Sequence, residues 1–153
     1  MLNKPFMPEQ KATGIHFLYP EACRFPVNPI RVANALGYRV CRDDNAVDGY
    51  FDLGKKTIFL NTNMSVKKKR FTVAHELGHA VLNHSKEEME TRQGEAEANL
   101  FAECLLAPSD IVHHCINNGY DFIQMTEFFG VGDYFMAFRL ERMGIISDRW
   151  RKI

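Results

Sequence analysis

Apolar residues along this chain follow two regimes. Up to about residue 61 they come in short alternating or continuous runs, and beyond it they recur every three or four positions. The second spacing is that of helices with a face turned to a core. It predicts helices over about 65–84, 91–107, 109–118, 122–129 and 133–143. Upstream, residues 49–53 and 57–61 read as two strands of a hairpin about the turn Gly54-Lys55-Lys56. Residues 38–41 read as a further short strand. Before that strand a short helix is expected: Asn28 can cap it, Pro29 suits its first turn, and Gly37 stops it. The opening residues, rich in Pro and aromatics without a period, are expected to form a docked arm or loop. Strands first and helices afterwards predict an α+β fold, because a parallel α/β sheet would alternate them.

Length and composition narrow the picture. A chain of 153 residues suits one domain (1–153), with an arm at 1–27 and a core over 28–146. Lys plus Arg equals Asp plus Glu at 19 each, which argues against a protein built mainly to bind phosphate backbones or anionic membranes. The N-terminus has no apolar signal-peptide core, and no apolar stretch approaches the ~20 residues of a membrane helix. Cys23, Cys41, Cys104 and Cys115 are widely spaced with no C-x-x-C pair, so free thiols and a cytoplasmic location are expected.

The segment Phe71-Thr72-Val73-Ala74-His75-Glu76-Leu77-Gly78-His79-Ala80-Val81-Leu82 carries candidate chemistry. On a helix His75 and His79 stand one above the other, so both imidazoles can reach one zinc ion at ~2.0–2.1 Å. Glu76 lies about 100° round from His75. From there it can take a proton from a water on the metal without itself being a ligand. H-E-x-x-H alone has only three fixed positions and also occurs on idle amphipathic helices. Here Val73, Ala74, Leu77, Ala80, Val81 and Leu82 make the helix apolar nearly all round. Polar side chains inside such a helix need a partner, and a metal supplies one. Gly78 leaves bare backbone for another element to approach.

A hydrolytic zinc site needs a third protein ligand and an open position. The next helix offers Glu95 and Glu97, about 200° apart, so both cannot serve one ion. Apolar periodicity does not choose between them. Asn99, at i+4 on the face of Glu95, favours Glu95, because ligands are normally accompanied by a polar residue that orients them. Glu97 has Phe101 at that offset.

These residues, with their surroundings, resemble a known family. Arg70-Phe71-Thr72-Val73-Ala74-His75-Glu76-Leu77-Gly78-His79, Glu95-Ala96-Glu97-Ala98-Asn99-Leu100-Phe101-Ala102 and Leu105-Leu106-Ala107-Pro108 are similar to blocks of the ImmA/IrrE metallopeptidases. The similarity extends to Ile58-Phe59-Leu60-Asn61, Phe128-Phe129-Gly130-Val131 and the run from Arg139 to Ile146, covering about 28–146. It implies a zincin-like fold, with a small antiparallel sheet packed against the H-E-x-x-H helix and several further helices. It also implies a cytoplasmic bacterial or phage protein that uses Zn2+ to cleave a helix-turn-helix repressor. By position, His75, His79 and Glu95 match the ligands, Glu76 the catalytic base and Asn99 a supporting residue. In zincins an edge strand beside the cleft pairs with substrate, and 57–61 is the expected strand. Ala107-Pro108 and Gly132 depart from the family pattern away from the metal residues.

Other signals read more plainly. The stretch 128–143 could pass for a DNA-reading helix pair, but Tyr134, Phe135, Phe138 and Leu140 suit a core, and only Arg139 and Arg142 are basic there. Lys67-Lys68-Lys69-Arg70 reads as a solvated face. His84, His113 and His114 are expected to face away from the metal, and His16 has no recognisable context. Cys104 and Cys115 lack a paired base for nucleophilic work. Tyr50, Tyr134 and His113 stand as alternatives for stabilising an oxyanion. A regulator that holds a transcription factor without cutting it is the alternative function.

Overall fold

Ser65 and Leu82 bound the central helix of the molecule. The Ser65 side chain accepts from Lys68 N, and α3 runs from there over Val66–Val81. The computed structural model describes residues 7–145. Residues 1–6 and 146–153, and with them the ends of the expected domain and of the 28–146 core, lie outside the described residues.

Around α3 the elements follow in the order α1 (Met7–Leu18), α2 (Pro29–Ala35), β1 (Arg39–Arg42), β2 (Gly49–Asp52), β3 (Thr57–Leu60), α3, α4 (Lys86–Met89), α5 (Arg92–Leu106), α6 (Ser109–Asn117), α7 (Phe122–Phe129) and α8 (Asp133–Arg142). The architecture is α+β. Asn28 accepts from Ile30 N and Arg31 N, as its position before Pro29 predicts.

Three expectations are corrected. The hairpin forms, pairing β2 and β3 antiparallel with Phe51 opposite Ile58. β1, however, joins β3 in parallel, so the sheet is mixed rather than antiparallel, in the order β1-β3-β2. β3 therefore lies in the middle with both edges paired, and 57–61 cannot be the strand that receives a substrate; β2 is an edge. Short-range pattern predicts the hairpin, but which side of it receives β1 is a tertiary choice.

The third correction concerns the N-terminus. Residues 7–18 form a helix docked on α5 rather than an irregular arm. Its buried face is only Pro8, Ala12 and Ile15, while Phe17 is 88% exposed. Small buried residues and an exposed aromatic give almost no amphipathic signal. His16 ties the region down, with Nδ1 2.8 Å from Ala22 O and Nε2 3.3 Å from Cys104 O.

α3 and α5 pack directly against each other. A Cβ on Gly78 would lie 3.0 Å from Phe101 Cδ1 and 3.1 Å from both Ala98 Cα and Ala98 O. Only glycine lets the α5 backbone approach so closely there. The core continues through Leu77, Phe101, Leu105, Phe129 and Met136. No helix among the described residues is long and apolar enough to cross a membrane.

Candidate metal centre

The close α3–α5 approach brings the polar groups of both helices together. His75 (8% exposed) and His79 (2% exposed) lie on the buried side of α3, their ring centroids 4.8 Å apart. Glu95, in the first turn of α5, faces both. Its Oε1 is 2.8 Å from His79 Nε2 and its Oε2 is 3.4 Å from His75 Nε2. One ligand atom from each of the three residues lies within 4.8 Å of the others.

Hydrogen positions make this cluster informative. His75 Nδ1 donates to Asn99 Oδ1 at 2.7 Å, since an amide oxygen can only accept. That contact leaves Nε2 directed at a Glu95 carboxylate oxygen, and a cation set between the two would be bound by both. Burial first, and then the neighbouring His75, pull the His79 pKa down to about 4, which keeps the ring in the neutral form that ligates a metal. Two neutral imidazoles and a carboxylate are a donor set suited to zinc.

Glu76 stands beside this group. Burial is the main cause that pushes its pKa up to about 8; the nearby Glu95 carboxylate adds to the rise, and a hydrogen bond from the Phe51 backbone N–H opposes it. That contact places β2 against the same site.

The tertiary structure also shows a partnership that the linear pattern hides. α3 stops at Val81, with Leu82 as its cap, rather than running to residue 84. Asn83 takes φ +55°, and Asn83 N donates to Ala80 O (3.2 Å) and His84 N to His79 O (3.1 Å). This is a Schellman ending, in which a left-handed residue turns the chain back on the helix. His84 is thereby placed behind His79, with their Nδ1 atoms 2.8 Å apart. Its Nε2 is 3.2 Å from Glu97 Oε2, and Gln93 Nε2 donates to Glu97 Oε1 at 2.9 Å. His84 lies outside the three-residue cluster, as expected, yet it does not face away from the site. A continuous helix to residue 84 would have sent it elsewhere. The one sequence signal was Asn83, a residue that tolerates positive φ.

The two glutamates thus go to different partners, Glu95 to His75 and His79, and Glu97 to His84. The oxyanion candidates are dispersed. The Tyr50 hydroxyl donates to Asp43 Oδ2 at 3.1 Å, and His113 is exposed on α6. Tyr134 lines a cavity together with Asn99. On α8, Tyr134 and Phe138 are exposed rather than in the core. Neither basic residue of α8 is free for phosphate: Arg139 is buried and donates to Ala107 O at 2.9 Å, and Arg142 holds Glu103.

A family profile for the IrrE N-terminal-like domain matches residues 33–141, most of the chain and all of the cluster. The chain belongs to this family of metallopeptidases. Comparison with curated proteins returns no match. The IrrE N-terminal-like region begins within α2 and ends within α8, so α1 lies outside the match although it packs on α5. Lys67 and Lys68, at the start of α3, reach Glu127 (2.8 Å) and Asp48 (3.2 Å), and Arg70 donates to the Val27 and Gly130 carbonyls. Three members of the basic run, Lys67, Lys68 and Arg70, are therefore engaged within the fold.

Proposed function

We propose that this metallopeptidase is a zinc-dependent endopeptidase that hydrolyses one peptide bond in a specific protein partner, a helix-turn-helix transcriptional repressor. The observation that carries the catalytic part is the convergence of His75, His79 and Glu95 with Glu76 beside them. The repressor as substrate rests on the resemblance of the motif blocks to ImmA/IrrE proteins.

His75 and His79 would hold the ion through Nε2 and Glu95 through its carboxylate, leaving a position open. Zinc, when bound there, would supply a Lewis acid able to lower the pKa of water and polarise a carbonyl. Glu76 is the proton acceptor and afterwards returns the proton to the departing amine. Burial and the Glu95 carboxylate raise its pKa, which makes its protonated form a better match for handing a proton to the amine than a carboxyl of more ordinary environment. Asn99 holds the His75 ring by its Nδ1–H. His79 donates its Nδ1–H to His84, and His84 donates Nε2–H to Glu97, which fixes one tautomer along the chain and keeps His79 Nε2 for the metal. β2, an edge strand whose Phe51 touches Glu76, is the strand positioned to pair with an extended substrate.

Intact-mass analysis of the full chain incubated with the helix-turn-helix protein encoded beside it, with and without chelator, tests this reading. Two fragments that appear only without chelator are expected. A stable complex with an uncut partner supports a holding role instead, and overturns the peptidase assignment for that substrate.

A further inference from the structure

A cavity of about 570 Å³ opens between α1, the segment that follows it and the first turn of α6. It shares no residue with the His75, His79 and Glu95 cluster. Half of its lining, from Glu9 to Phe25, lies outside the residues matched by the family profile. We propose that this cavity binds a free α-amino acid with an apolar side chain, its carboxylate towards Arg139 and its ammonium towards Glu9 and Asp110.

The buried end of the cavity is cationic. Arg139, on α8, is 2% exposed and lines it. Its Nε donates to Ala107 O at 2.9 Å and its Nη2 to Ser109 Oγ at 3.0 Å. Both partners are neutral, and among the described residues no carboxylate forms an ion pair with it. A buried cation held only by neutral oxygens lacks the counter-charge that burial ordinarily demands. A guanidinium has five N–H groups, so donors remain after these two contacts. Sunk beneath the surface, Arg139 cannot meet a nucleic-acid backbone, but it is open to an anion small enough to enter. Further donors lie on the same wall. Ser109 Oγ accepts from Arg139, which leaves its own O–H to donate. Pro108 gives α6 no side-chain cap, and the N–H groups of Ser109 and Asp110 have no acceptor within the helix.

The rest of the lining limits what the anion can be attached to. The rings of His16 and Phe25 lie nearly parallel, at 22°, with centroids 6.4 Å apart. Both nitrogens of His16 face backbone carbonyls, Ala22 O and Cys104 O, so the ring offers the cavity a face rather than a donor. Phe17 and Ile111 extend this apolar wall. Glu9 and Asp110 are exposed and bring two negative charges to the rim. They repel a phosphate dianion and attract an ammonium group. One cation at depth, two carboxylates at the mouth and flat apolar sides complement a zwitterion with an apolar side chain. The volume falls within the ~300–1,000 Å³ usual for small-molecule cavities.

Two thiols make a local test possible. Cys23 is exposed and lines the cavity, whereas Cys41 is exposed on β1 and does not. Iodoacetamide labelling of the full chain, read by peptide mass mapping, therefore reports occupancy here and is blind to amino acids that bind at the metal centre. L-phenylalanine is expected to slow labelling of Cys23, but not of Cys41. At about ten times its Kd the rate should fall roughly tenfold, because only the empty fraction reacts. 2-Phenylethylamine, which lacks the carboxylate, and phenyl phosphate should protect much less, and so should N-acetylphenylalanine, which stands for the end of a peptide chain. Arg139→Lys, which keeps the charge but loses the fork, should raise the half-protecting concentration roughly tenfold. Ser109→Ala, at an exposed position that folding does not depend on, should raise it by a smaller factor and carries the test if the buried variant fails to fold. An unchanged Cys23 rate up to the solubility limit of phenylalanine overturns the site. Equal protection by 2-phenylethylamine overturns the role of Arg139, and stronger protection by N-acetylphenylalanine or phenyl phosphate overturns the choice of a free amino acid.

Discussion

The two histidines of α3 are neighbours, yet they are supported in different ways. His79 is the more deeply buried, backed by His84, which is backed by Glu97, which is held in turn by Gln93. His75 has a single amide behind it, Asn99, and beyond that amide lies a solvent-open cavity rimmed by exposed rings. One side of the site is a closed polar chain; the other is thin-walled and apolar. The same pair of helices produces this contrast by placing Glu97 and Asn99 on different faces of α5.

This contrast can be broken in order of expected effect. Glu76→Gln removes the proton acceptor and leaves the ligands, so cleavage should fall by roughly 10²–10⁴-fold while zinc content, measured by metal analysis, stays at the wild-type level. Loss of zinc together with activity would show instead that Glu76 is structural.

Next come the glutamates. Glu95→Gln should weaken zinc binding by more than Glu97→Gln, whose effect is expected within the roughly 10–100-fold usual for groups that orient ligands. Competition with a chromogenic chelator measures both. The reverse ranking would exchange the roles of the two carboxylates.

His84→Ala tests the closed side alone. It should lower zinc affinity by roughly 10–100-fold, with partial recovery in His84→Gln, which can still accept from His79 and donate to Glu97. Unchanged affinity would mean that the buried chain packs the helices but does not position the ligand.

Gly78→Ala asks whether the α3–α5 spacing is needed. Alanine gains about 1 kcal/mol of helix propensity over glycine, but two of the three nearest atoms belong to the Ala98 backbone and cannot rotate away. Overpacking of about 1–3 kcal/mol should outweigh that gain. Thermal denaturation should then show a Tm a few degrees lower, and an unchanged or higher Tm would show that the helices separate freely.

The smallest effect concerns the thiols. Burial raises the Cys104 pKa to about 11, whereas Cys23 and Cys41 are exposed. Iodoacetamide in the native state should therefore label Cys23 and Cys41 well before Cys104, as read by peptide mass mapping. Early labelling of Cys104 would show that the α1–α5 contact opens readily.

Local pattern alone determined a good deal of this molecule. The spacing of His75, Glu76 and His79 on an apolar helix, the cap at Asn28, the β2–β3 hairpin and the shared helix face of Glu95 and Asn99 all follow from periods of two or 3.6 residues and from side-chain hydrogen bonding within a turn. Tertiary structure decided the rest: the parallel docking of β1, the central place of β3, the helical state of 7–18 and the return of His84 onto His79. Each depends on a contact between segments far apart in the chain, or on one backbone angle at Asn83. Neither leaves a period in the sequence, because a weakly amphipathic helix and a left-handed turn are stabilised by what they meet rather than by what precedes them.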